Sequence, residues 1–94
     1  MEMVFISNHG YERVKQRTHL KGAKAEQTIA RIWRKGKTYE QIEFKQLHYY
    51  VKDIATATQN IHNVVKLFGN SVYIFSSETV LITVLDVPCR VMGR

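Results

Sequence analysis

The feature that most constrains this chain is a change of hydrophobic period near residue 63. Before it, inward-facing candidates recur every three or four positions: Tyr11, Val14 and Thr18, then Ala25, Ile29, Ile32 and Trp33, then Phe44, Leu47, Val51, Ile54, Ala55 and Thr58. That spacing predicts amphipathic helices over about 9–18, 23–35 and 44–58. Ser7 or Asn8 suits the first N-cap, and Gly36 is a stop signal for the second helix. After it, "VVKLF", "SVYIF" and "VLITVL" read as three strands, joined at Gly69-Asn70 and at Ser76 to Thr79. Residues 3–6, "MVFI", read as a short strand or extended lead-in. The pattern predicts an α+β fold in which N-terminal helices pack on a C-terminal antiparallel meander.

Strict alternation divides the strands into two faces. Val72, Ile74, Ser76, Thr79, Leu81, Thr83 and Leu85 share one, while Tyr73, Phe75, Val80, Ile82 and Val84 share the other. The second set is the more apolar, so it is assigned to the helices. The first carries hydroxyls that could line a cleft. Lys66 fits poorly, because a Gly-Asn hairpin places it on the apolar side.

Ninety-four residues make one domain, 1–94, with no repeat, low-complexity tract or Pro/Ser-rich linker. The single cysteine, Cys89, excludes an intramolecular disulfide and suits a reducing, cytoplasmic compartment; it reads as inert. "MEMVFISN" lacks the pattern of a signal peptide, and "VLITVL" is too short to span a bilayer, so no membrane partner is expected. The net charge of +6 is concentrated. Residues 9–37 hold nine Lys/Arg against Glu12 and Glu26, a net +7, and the remainder sums to −1. A field of that kind attracts polyphosphates, which makes nucleic acid the leading partner class, although charge alone does not separate it from an acidic protein or an anionic membrane surface.

The segment "HGYERVKQR" places His9, Arg13 and Arg17 at four-residue intervals. On a helix each such step turns by about 40°, so the three side chains can lie along one ligand. Cleavage of RNA needs such groups. A base takes the proton of the 2′-hydroxyl, the oxygen attacks phosphorus, and an acid protonates the leaving 5′-oxygen. Histidine serves either step near neutral pH, and arginine forks offset phosphate charge. Gly10 costs helix stability, which either a ligand backbone passing close to His9 or an irregular helix start would explain. Lys15, Lys21, Lys24, Arg31, Arg34, Lys35 and Lys37 are candidates for holding phosphates, and Tyr39, Tyr49 and Tyr50 for stacking on bases. For any single lysine a solvated helix face is the better reading, and it is the collective asymmetry that favours binding. His9, His19, His48 and His62 are scattered and no paired cysteines exist, so neither metal nor cofactor is implied.

The order "His9-Gly10-x-x-Arg13-x-x-x-Arg17", "Arg34-Lys35-Gly36", "Val72-Tyr73-Ile74-Phe75" and "Leu81-Ile82-Thr83-Val84-Leu85-Asp86-Val87-Pro88" resembles small phage- and toxin-associated nucleases. These belong to the group that spans barnase, EndoU, colicin-type and RelE nucleases. The resemblance implies helices on an antiparallel sheet and metal-independent cleavage of RNA to a 2′,3′-cyclic phosphate, as in a phage effector or toxin. It implies His9 as acid or base, Arg13 and Arg17 as the basic positions after it, and Thr83 as a strand hydroxyl near the scissile phosphate. RelE proteins proper rely on Arg, Lys and Tyr instead, so ribosome-dependent cleavage is not implied.

Two other readings share the same charge. One is a noncatalytic nucleic-acid-binding module. The other is a phage-encoded inhibitor whose basic face meets an acidic protein. RNA, including tRNA, and an acidic inhibitor or target protein are therefore the expected partners, and two apolar sheet faces also permit a homodimer.

Overall fold

A computed structural model of the chain describes residues 4–57, 63–76, 79–88 and 90–91. Met3, Thr58, His62, residues 77–78 of the second strand turn and Cys89 lie outside them. The elements run β1 (Phe5–Ile6), α1 (Asn8–Thr18), α2 (Gly22–Lys35), a 3-10 turn (Tyr39–Gln41), α3 (Lys45–Ala57), β2 (Val64–Phe68), β3 (Ser71–Phe75) and β4 (Val80–Asp86). The fold is α+β, as the change of period predicts, with helices first and the sheet after them.

The meander is present, and β1 extends it. Strand order is β1-β4-β3-β2, with β4, β3 and β2 antiparallel and β1 parallel to β4. Two residues carry too little pattern to announce that pairing. Its hydrogen bonds run from Phe5 N to Thr79 O and from Ser7 N to Leu81 O, each at 3.0 Å. Ser7 then turns the chain into α1. Its Oγ accepts from Gly10 N at 3.0 Å, satisfying one of the unpaired amides at the helix start.

Both sheet faces are covered. On one, Val14 of α1 and Ala25, Ile29 and Ile32 of α2 pack with Tyr73, Phe75, Leu81 and Val84. On the other, Leu47 and Val51 of α3 pack with Val65, Leu67, Val72 and Ile74. Strict alternation fails once, with consequences. Ile74 pairs with Thr83 but Phe75 pairs with Leu81, so β4 holds one extra residue there. This bulge moves Leu81 onto the α1–α2 face, three residues from Val84, and Ile82 onto the α3 face. Their expected faces are thereby exchanged. Lys66 does sit on the apolar side, as the hairpin requires, and its ammonium lies over Trp33, 5.4 Å from the ring centroid. Trp33 in turn meets Phe75 edge-on at 5.0 Å.

The hairpin at Gly69-Asn70 has positive φ at Gly69 alone, the pattern of a II′ turn. Gly10 has a different purpose from the one its cost suggested. A Cβ there would lie 2.6 Å from the carbonyl oxygen of Leu81, so glycine lets α1 rest on β4 itself, and the close neighbour is the chain's own backbone. Among the described residues, no helix is long and apolar enough to cross a membrane.

Candidate nucleic-acid interface

The α1 stripe winds as it rises. Gly10 and Val14 are buried, and the 40° drift at each step turns His9 into solvent, leaves Arg13 half-buried and brings Arg17 to the end of β4. There the Arg17 guanidinium pairs with Asp86, whose other oxygen accepts from Ser71 Oγ at 3.4 Å. Arg13 Nε is buried without a hydrogen-bond partner among the described residues. Thr83 pairs with Ile74 and therefore points to the α3 face, away from α1. The expectation that Thr83 would meet His9, Arg13 and Arg17 at one phosphate is corrected by this register: the sheet lies between them.

Arg17 and Asp86 instead border a pocket of about 490 Å3 between the end of α1 and the β2–β3 hairpin, with Gln16, Asn70, Ser71 and Tyr73 also in its lining. Burial pushes the Tyr73 phenol above its ordinary value of 10.0, and the nearby Arg17 charge partly opposes that rise. Asp86 was absent from the sequence-derived site. Its signal was slight: it is the one acid after Glu78, placed directly behind an apolar strand.

Helix α2 presents its cations differently. Ala25, Ile29 and Ile32 are buried against the sheet, and Lys24, Arg31, Arg34 and Lys35 are exposed on the other side. On a helical projection those four fall within an arc of about 100°. The acid of this helix, Glu26, lies outside that arc. Among the described residues the one ion pair is Arg17–Asp86, so none of the α2 cations is paired with a described carboxylate. Lys15, Lys21 and Lys37 are exposed as well. Lys37 also forms a backbone bridge to Leu67, with N–H to O distances of 2.8 and 2.7 Å, which holds the chain leaving α2 against β2.

The tyrosines divide. Tyr39 and Tyr50 pack against the α3-side core, whereas Tyr49 is half exposed. His48 is engaged too, with Nδ1 donating to the Tyr39 carbonyl at 2.6 Å and its ring edge-on to Tyr39 and Tyr49. Phe44 departs from expectation. Helix α3 starts one residue after it, and Phe44 serves through its carbonyl, which accepts from His48 N at 2.8 Å. Its ring is not carried onto the sheet and remains 47% exposed. No group of three His, Cys, Asp or Glu side chains suited to a metal ion occurs among the described residues. Comparisons with family models, curated proteins and solved structures returned no match.

Proposed function

We propose that this chain is a noncatalytic nucleic-acid-binding module whose contact surface is the cationic face of α2. The observation that carries the reading is the set Lys24, Arg31, Arg34 and Lys35, exposed together and without carboxylate partners among the described residues. Unpaired cations on a rigid helix suit a polyphosphate backbone. Binding releases condensed counterions, so affinity falls steeply with salt, and it positions a polymer without reading its sequence.

The ribonuclease reading implied by the motif resemblance asks more of the geometry. It needs His9 as acid or base with Arg13, Arg17 and Thr83 around a single phosphodiester. Thr83 lies on the far sheet face and Arg17 is already paired with Asp86, so binding is the better-supported function.

Labelled RNA incubated with the protein in EDTA tests the two readings together. The expected result is salt-sensitive retention of uncut RNA, with affinity lost on Lys24→Glu, Arg31→Glu and Arg34→Glu combined. Cutting that His9→Ala abolishes would restore catalysis. Absence of any retention at low salt would remove the binding reading.

A further inference from the structure

Two residues beyond α2, Lys37 lines a groove of about 330 Å3 on the α3 side of the sheet, beside the β2 edge to which its backbone is bridged. Its floor is apolar, built from Ile42, Leu47 and Leu67, each less than a tenth exposed. Lys37 and the half-exposed ring of Phe44 line it, together with Gln41 and Glu43. Phe44 is one of three large apolar side chains that stay about half exposed among the described residues, with Phe5 and Tyr49, and of the three it alone lines this groove. The volume is at the small end for ligand sites, about right for one flat heterocycle.

We propose that this groove receives an unpaired nucleobase stacked on Phe44, so that the protein prefers single-stranded to duplex nucleic acid. The proposal rests on the α2 reading and narrows its ligand class. A duplex keeps its base faces stacked inside the helix and offers Phe44 nothing to stack on. A single strand whose phosphates follow Lys24, Arg31, Arg34 and Lys35 can turn a base out where the cations end, at Lys37. The backbone bridge between Lys37 and Leu67 fixes that point relative to the groove floor. Glu43 repels phosphate, which keeps the strand's backbone on the lysine side, while its carboxylate can accept from base N–H groups and Gln41, whose Oε1 accepts from Thr38 N at 3.1 Å, has its Nε2 left to donate to a base acceptor. Stacking of this kind tolerates any base, because each has a π-face.

Fluorescence anisotropy with a short labelled single strand, and with the same strand annealed to its complement, tests the proposal at fixed salt. The wild-type protein should bind the single strand about tenfold more tightly, in keeping with one base–aromatic stack. Phe44→Ala should lose about that factor on the single strand and leave duplex binding unchanged. Phe44→Trp should retain the preference, and Phe44→Leu, apolar without a ring, should behave as alanine. Circular dichroism of each variant establishes that it is folded. Equal binding of the two forms by the wild type, or Phe44→Ala affecting both alike, would overturn the proposal. The α2 reading would survive if the triple charge reversal still weakened both forms. Failure of the wild type to bind either strand at low salt would overturn both.

Discussion

Helices α1 and α2 both carry lysine and arginine, and the fold treats the arginines of α1 and the cations of α2 in opposite ways. On α1 the sheet draws the stripe in: Arg13 is half-buried, and Arg17 is held by Asp86, 69 residues away in the chain. On α2 the apolar residues alone face the sheet, and Lys24, Arg31, Arg34 and Lys35 are left to solvent. A basic residue's availability is therefore set less by its own helix than by what the packing partner offers. Strand β4 ends in a carboxylate that reaches Arg17, whereas no described carboxylate pairs with the α2 cations.

That contrast can be broken at several points. The largest expected effect on stability is at the seat of α1. Gly10→Ala forces a Cβ against the Leu81 carbonyl and should destabilise by about 1–3 kcal/mol in urea unfolding, the usual range for overpacking. Charge reversal at Lys24, Arg31 and Arg34 should stay within about 0.5 kcal/mol per site, as expected of surface positions. A similar loss from both would mean that α2's cations also belong to the fold.

Asp86→Asn comes next. It removes the partner of Arg17 at a partly exposed site, so the cost should be at most about 1 kcal/mol and should shrink with added salt. Its sharper readout is binding. Freeing Arg17 adds a cation to the α1 surface and should strengthen polynucleotide affinity slightly.

Tyr73 supplies the smallest effect. Its phenol is neutral in both states at neutral pH and titrates higher in the folded protein than in the unfolded chain. Above about pH 10 the unfolded form loses the proton first, so stability should fall as pH rises through that range. Ultraviolet difference spectra should show one of the five tyrosines ionising late. Arg17→Ala should delay it further, because the opposing charge is gone.

Much of this architecture was legible because it rests on local pattern. The change of period placed the helices and strands, and α1 and α2 each start one residue before the predicted bounds. Lys66 was recognisable as misplaced from the hairpin register alone. The bulge was hidden because it exchanges Leu81 and Ile82, two apolar residues, and so leaves the hydropathy pattern unchanged. The site was harder to read for a related reason. Spacing reports which side chains share a helix face, and says nothing of a carboxylate brought up from the far end of the chain. Thr83 and Phe44 show the same limit: one was carried behind the sheet by register, and the other was left outside the core because α3 begins just after it.

The most direct test compares two triple variants for binding to one labelled single strand across a range of salt. One reverses Lys24, Arg31 and Arg34 on α2. The other replaces His9, Arg13 and Arg17 on α1 with alanine. The account predicts that the α2 variant loses roughly a hundredfold at low salt and flattens the salt dependence, while the α1 variant, if folded, stays close to wild type. Loss of binding in the α1 variant with the α2 variant intact would contradict it.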